Sequence, residues 1–260
     1  MKQLISVEEA LGKVLADATP LPAENAALHD AAWRILAADI VALRTQPPFP
    51  AAAMDGYAVA NGDARQGAEL ELIGESAAGR RFDGKLEAGQ AVRIFTGAPV
   101  PEGAGSVIMQ EDVERFENGR IRIAQAVTPG RHVRQRGLDF AEGELLLKAG
   151  TLLDAATLPL AAAGGHAKLP VHRRPVVAIL ATGDELVAPG EPAGPDQIVA
   201  SNSFGVAAMA RKAGATVIDL GIVADDREKI TASVTRAVAE GADILVTLGG
   251  ASVGDHDLIK

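Results

Sequence analysis

The sequence of 260 residues contains no cysteine, which excludes disulfides and any thiolate metal site and suits a reducing compartment. It also lacks long apolar runs. No stretch approaches the ~18 residues needed to span a bilayer, and the start, Met1-Lys2-Gln3-Leu4-Ile5-Ser6, has no apolar core of signal-peptide length. The expectation is a soluble cytoplasmic protein, with neither export nor membrane insertion. Positive charge is scarce as well. With 25 Lys and Arg against 34 Asp and Glu, the formal charge of −9 argues against nucleic-acid binding, which rests on phosphate neutralisation by cations. An anionic ligand would need a local source of positive field. What is present is core material: 48% hydrophobic residues, enough for two or three domains.

Along the chain, Ser6-Val7-Glu8-Glu9 reads as a capping box opening a short helix with Leu11, Val14 and Leu15 on its apolar face. A second helix is expected from Asp30 to Ala38, with Trp33 and Leu36 at i, i+3. Gln46-Pro47-Pro48-Phe49-Pro50 is a stiff connector and marks a first boundary. Asp55 follows within Ala53-Met54-Asp55-Gly56-Tyr57-Ala58-Val59, where spacing alone favours a simple Asp-Gly turn. From Glu69 to Ile123 short apolar segments alternate with glycines, the pattern of a small all-β module, and Asn118-Gly119 predicts a type I′ hairpin. Thr96-Gly97-Ala98-Pro99 ends one of its strands; its hydroxyl either stabilises the turn or faces a ligand. Arg131, Arg134 and Arg136 then stand close together in an acidic protein, and read equally as an anion site or as a solvated edge strand. His166 reads as a loop or cap residue, with no second ligand at metal spacing. Pro170 to Pro175 is the second boundary.

The last section predicts β-α-β-α-β: strands from Val176 to Leu180, Thr216 to Leu220 and Ile244 to Leu248, with helices from Ser203 to Ala213 and Asp226 to Glu240. Each strand runs into acid: Asp184-Glu185, Asp225-Asp226, and Asp255 with Asp257. In open α/β sheets ligands bind beyond the carboxyl ends of the strands, so these groups should line one crevice. The third strand also breaks into Thr247-Leu248-Gly249-Gly250-Ala251-Ser252-Val253-Gly254. Glycines at positive φ let backbone N–H groups approach an anion, and Thr247 and Ser252 add hydroxyls. Carboxylates next to a phosphate cradle imply a divalent cation between them; the alternative is a strand-to-helix turn with Asp255 or Asp257 as N-cap.

Five motifs in order, Ala53 to Val59, Thr96 to Pro101, Arg134 to Asp139, Thr182 to Leu186 and the Gly249-Gly250-Ala251-Ser252-Val253-Gly254 run with its following Asp257, resemble the MoeA family of molybdopterin molybdenumtransferases, to which the gephyrin E domain is related. The resemblance covers essentially the whole sequence. It implies a multidomain α/β protein: residues 1–47 with 139–173 as a mixed α+β linker and dimerisation domain, 48–138 as a small β domain, and 174–260 as the first half of a doubly wound, parallel molybdopterin-binding domain. The implied activity is Mg²⁺-dependent insertion of molybdate into adenylylated molybdopterin with release of AMP, by a homodimer. By motif, Asp55, Thr96, Asp139, Glu185, Asp225 and Asp257 are the implied catalytic set, Glu185, Asp225 and Asp257 the metal carboxylates, and Thr247, Gly249, Gly250, Ser252, Gly254, Arg134 and Arg136 the cofactor-binding set.

Three departures accompany the resemblance. Pro50-Ala51-Ala52 stands where the family has Asp-Asn-Ser, and Trp33 where it commonly has a glycine. The family chain also continues for over a hundred residues beyond a position like Lys260. The expectation is a fragment, or a chain whose missing half a partner supplies, so the alternative function is a non-catalytic pterin- or nucleotide-binding piece of such an enzyme.

Overall fold

A computed structural model describes residues 5–249. The chain forms two compact units: the first takes residues up to Ala38, Ala149–Ala155 and those from Lys168 onward, the second Asp39–Lys148 with Ala156–Ala167.

The first unit is built on three parallel strands. Val176–Thr182 lies in the middle, with Thr216–Val223 on one edge and Ile244–Leu248 on the other. The central strand, VVAILAT, is aliphatic at nearly every position and buried from Val177 to Thr182. Successive side chains point to opposite faces. Val177 and Ile179 meet Ala207 of the helix Asn202–Lys212, whereas Ala178 and Leu180 meet Ile230 and Ala237 of the helix Arg227–Ala239. Two crossover helices thus cover both faces, as an all-parallel sheet requires. The helices begin and end close to the expected positions. Asp226 caps the second by accepting from the N–H groups of Glu228 and Lys229, and Gly214 and Gly241 follow the ends at φ of 91° and 79°. Ser201 makes no capping bond. On the edge strand, Ile244 and Leu245 remain exposed.

The rest of this unit is fastened by arginines. Ala23–Ala27 pairs antiparallel with Lys168–His172, over a small core of Leu36, Leu153, Leu169 and Val171. Arg34 is buried and donates to the His172 carbonyl at 2.8 Å and to Glu24. Arg174 joins the Gly214 and Ala32 carbonyls, each at 3.1 Å. Arg173 makes a two-pronged contact with Asp243, whose second role is to accept from the Val176 N–H at the start of the central strand.

Two expectations for this unit are corrected. There is no helix from Asp30 to Ala38: a 3₁₀ turn at Leu28–Asp30 stops, and the Leu36 and Ala37 N–H groups bond to the Thr151 and Pro170 carbonyls instead. Trp33 has φ of 61°, a left-handed conformation incompatible with a continuing helix. That is also why a glycine suits this position. The helix Val7–Leu15 does form, with Ser6 accepting from the Glu9 N–H, but its box is half made, because Glu9 pairs with Lys13. Its apolar residues Val7, Leu11, Val14 and Leu15 are exposed.

The second unit carries a six-stranded sheet in the order Ser106–Met109, Gly56–Val59, Gln90–Ile94, Glu69–Ser76, Arg120–Ile123, Val113–Arg115. All neighbours are antiparallel except Glu69–Ser76 with Gln90–Ile94. Tyr57, Val59, Leu70, Ile108 and Ile121 form the core on one face, and Ala58, Val92, Ile94 and Val107 on the other. The hairpin at Asn118-Gly119 exists, but its form differs from the expected type I′. The Gly119 N–H bonds back to the Phe116 carbonyl and Gly119 alone has positive φ, which is a type I turn closed by a left-handed glycine. His166 Nε2 lies 2.7 Å from the Val41 carbonyl, a loop-fastening role in keeping with the sequence reading.

The Arg173–Asp243 contact sets an acid limit on the first unit. Two guanidinium bonds and the Val176 N–H hold the Asp243 carboxyl at a pKa of about 2, below the usual 3.8. The stabilisation is therefore complete above the unfolded value and disappears as pH falls through the folded one. Asp243→Asn should lower stability by about 1–2 kcal/mol at neutral pH. In urea titrations across pH, the gap between variant and wild type should close as pH drops from about 4 towards 2. A gap independent of pH would show that the charge is not what fastens the strand.

Candidate functional site

Functional side chains predicted from sequence fall on both units. On the second, the short strand Ala51–Ala52 pairs with Val133–Arg134, and Gly56–Val59 is hydrogen-bonded on both edges, which fixes the loop that carries Asp55. Gly56 is required there by close approach: a Cβ would lie 1.8 Å from the Ile108 carbonyl oxygen. The Asp-Gly pair is thus more than a turn. Asp55 Oδ1 accepts from both the N–H and the hydroxyl of Thr96, each at 2.8 Å. These two bonds, with the Arg93 charge, hold the exposed Asp55 carboxyl below the usual aspartate range. Arg93 is itself fixed, donating to the Gly56 carbonyl at 2.9 Å and to Gln110 at 2.7 Å between the rings of Tyr57 and Phe95.

The arginine stretch is partly committed. Arg136 donates to the Pro48 carbonyl at 3.2 Å, whereas Arg134 sits exposed on the strand opposite Ala51. Asp139 is exposed, and its N–H donates to the Gln46 carbonyl. Asp55 and Thr96 are therefore joined directly, and Arg136 is held by backbone at the connector that precedes them.

On the first unit, the strand order, second then first then third, creates a switch point between the central strand and Ile244–Leu248, where the connections leave towards opposite faces. Thr182 ends the central strand, 2% exposed, and its Oγ1 is buried with no hydrogen-bond partner among the described residues. Gly249, at φ of 101°, lies against it: a Cβ there would be 2.3 Å from the Thr182 carbonyl oxygen. On the other side the Gly183 N–H donates to the Val223 carbonyl, and Asp184 accepts from the Asp225 N–H at 3.2 Å. Glu185 turns back over Gly183, whose absent side chain leaves the room its carboxylate occupies. Asp226 is used up as a helix cap. Thr247 is half-buried in the edge strand, paired with Leu180.

The structure thus brings Glu185, Asp225, Thr247 and Gly249 to the carboxyl edge of one sheet. Gly250, Ser252, Gly254 and Asp257, the remaining members of the glycine run and its carboxylate, lie outside the described residues. Among the described residues no three His, Asp or Glu side chains gather as a metal-holding group. Sequence reasoning placed Asp184 among the acidic strand ends that line one crevice, and assigned no role to Thr182. The signal was a lone threonine closing an otherwise aliphatic strand.

A parallel sheet with this order and this edge defines a class: residues 178–260 match the model of a probable molybdopterin binding domain. Residues 5–165 match the MoeA N-terminal region, domains I and II. The chain belongs to the MoeA family. It is 38% identical over 259 residues to a molybdopterin molybdenumtransferase of Haemophilus influenzae, covering 99% of this chain and 64% of that protein. Against the protein of the same name from a Nostoc species the figures are 42% over 231 residues, 87% and 52%. Among solved structures, a molybdopterin biosynthesis moeA protein of Pyrococcus horikoshii superposes with a TM-score of 0.84 at 34% identity, covering 94% of this chain and 66% of that one. The chain spans between half and two thirds of the length of these curated relatives.

The Asp55–Thr96 pair gives a direct test. Removing a donor from a carboxylate raises its pKa. Thr96→Val should move the Asp55 carboxyl titration upwards, yet leave it below the ordinary range, because the backbone N–H and Arg93 remain. Carbon-detected NMR of the carboxyl group reads the shift; an unchanged midpoint would show that the hydroxyl does not hold Asp55.

Proposed function

We propose that this chain carries the substrate-binding and carboxylate machinery of a molybdenumtransferase, which inserts molybdate into adenylylated molybdopterin and releases AMP. The observation that carries this reading is the paired arrangement at the sheet edge of the first unit: a glycine laid against Thr182 on one side, and carboxylates of Asp184, Glu185 and Asp225 on the other. Role in molybdenum cofactor biosynthesis follows from the family.

The chemistry of the donors suits Mg²⁺, which is commonly held by one or two carboxylates and completes its shell with substrate phosphate and water. Glu185 and Asp225 would hold it, with Asp257 as the expected third group, and when bound it would neutralise charge on the phosphoanhydride. The chain's own residues do the rest. Gly249 lets the backbone come close to a phosphate, with Thr247 beside it in the edge strand; Gly250, Ser252 and Gly254, which the resemblance implies for the same ligand, lie outside the described residues. Asp55 stays ionised at neutral pH and so repels an oxyanion; its part is to hold Thr96 in place, while Arg134 and Arg136 supply the positive field that molybdate needs. Asp139 follows them as a further exposed acceptor.

A homodimer is part of the proposal. The exposed apolar face of the helix Val7–Leu15 is the kind of surface that pairing covers. A cytoplasmic site of action is supported by the absence of cysteine, and no helix among the described residues is long and apolar enough to cross a membrane.

The second reading is a pterin- or nucleotide-binding piece without turnover; the chain spans 52% to 64% of these relatives. One assay separates the two. AMP release from adenylylated molybdopterin with molybdate and Mg²⁺ is expected from the wild-type chain and should fall at least about tenfold in Asp225→Asn, the loss of a carboxylate that faces developing charge. Equal rates in both would overturn the carboxylate assignment, and binding without any AMP release would leave the second reading in force.

A further inference from the structure

The six-stranded sheet of the second unit curls back on itself, and a positively charged hollow lies where it does. Its outermost strands, Ser106–Met109 and Val113–Arg115, stand at opposite ends of the strand order, yet only the 3₁₀ turn Gln110–Asp112 joins them. Laid flat, strands about 4.8 Å apart would part the outer two by about 24 Å, whereas the chain from Met109 to Val113 reaches about 14 Å at most. The sheet therefore cannot be flat. The turn is fastened on both flanks: the Gln110 N–H donates to the Asp55 carbonyl at 3.1 Å, and the Asp112 carbonyl accepts from the Ala124 N–H at 2.8 Å. This closure brings Arg115, on the last strand in the order, towards Arg93, on the third. Two hollows of about 500 and 380 Å³, both open to solvent, have Arg93 and Arg115 together in their walls. Glu75 and Phe95 also line the larger, and Tyr57 and Gln110 the smaller.

Arg93 is held in place without being saturated. A guanidinium has five N–H donors. Arg93 gives one to the Gly56 carbonyl and one to Gln110, and the Tyr57 and Phe95 rings lie 5.1 and 4.7 Å from it. The other donors have no partner among the described residues. Arg115 is exposed and makes no hydrogen bond or ion pair there. An arginine on an edge strand serves to discourage edge pairing, which accounts for Arg115 alone but not for its place beside a second, fixed guanidinium. Two like charges side by side repel, and a chain with a formal charge of −9 has carboxylates in excess to relieve them. The nearby ones are engaged elsewhere. Glu75 pairs with Arg80 at 2.5 Å, and Glu114 with Arg122 at 3.4 Å. Asp55, which feels the Arg93 charge, lines neither hollow.

The geometry points to an anion site between Arg93 and Arg115 that takes a tetrahedral oxyanion of two negative charges, the chemistry shared by molybdate and the phosphate group of a nucleotide. Guanidinium forks match the oxygens of such an ion in pairs. Arg93 is the fixed side of the site, and Arg115 is the exposed side that meets the ion from the neighbouring wall. The site is distinct from Arg134 and Arg136, which line neither hollow, and does not depend on the pterin reading of the first unit.

Equilibrium dialysis of the full chain tests this with three probes: molybdate, AMP, and perrhenate, an oxyanion of the same shape as molybdate with a single charge. The wild type should bind molybdate or AMP, and perrhenate about tenfold more weakly. Arg115→Ala should weaken the dianion about tenfold or more, with an unchanged thermal unfolding curve, because a charge-assisted fork is lost from an exposed position. Arg115→Lys keeps the charge without the fork and should lose only about threefold. In the wild type the NMR signal of the Arg93 Nε–H should move as the dianion is added. Whichever of molybdate and AMP binds more tightly names the source of the oxyanion. Equal affinity in wild type and Arg115→Ala would overturn the proposal, as would a loss seen in Arg134→Ala instead. Perrhenate bound as tightly as the dianions, or a wild type that binds neither molybdate nor AMP, would overturn it too.

Discussion

One strand constrains the rest of the first unit. Val176–Thr182 is hydrogen-bonded along both edges and covered by helices on both faces, so this strand can meet a ligand only at an end. Everything chemical in that unit gathers where this strand stops. Thr182 turns an aliphatic run polar, Gly183 to Glu185 cross to the neighbouring strand end, and Gly249 brings the other edge close. The opposite end is fixed by Asp243, which ties the first residue of the strand to Arg173. A scaffold held at one end and open at the other suits a site that must be rigid before its ligand arrives.

The second unit solves a similar problem with different means. Its loop at Asp55 is placed by a strand paired on both sides and by a glycine that admits the Ile108 carbonyl. The carboxylate is then satisfied locally by Thr96, so the negative charge is held in a fixed direction. Arg93, fixed by two hydrogen bonds and two aromatic rings, stabilises that charge from behind.

Much of this was legible in the sequence, for physical reasons. The aliphatic run at Val176 and the helical spacing of Ile230 and Val234 predict their elements because burial imposes those periods, although Val238 turns out exposed and Ala237 takes the buried place, and the capping Asp226 and closing Gly241 mark the ends of the second helix. The acidic strand ends could be read as one edge once the alternation implied a parallel sheet. What could not be read depends on contacts distant in sequence or on a single backbone angle. The need for glycine at 56 comes from a strand about fifty residues later, and the Asp55–Thr96 pair spans 41 positions. Trp33 looked like a helical residue by spacing, but its positive φ ends the pattern. The hairpin glycine was right and the turn type was not, because Phe116 and Arg120 close a three-residue loop that ends in Gly119. An orphaned hydroxyl, as at Thr182, has no sequence signature at all: it is defined by the partners it lacks.

We propose that the crevice between the central strand and the Ile244–Leu248 edge receives the phosphorylated pterin. Amide hydrogen exchange with and without saturating molybdopterin measures this along the backbone. Slowed exchange is expected at Gly183 to Glu185 and at Leu248 and Gly249, the amides at the carboxyl ends of the two strands. Unchanged exchange at those amides with the ligand bound would contradict it.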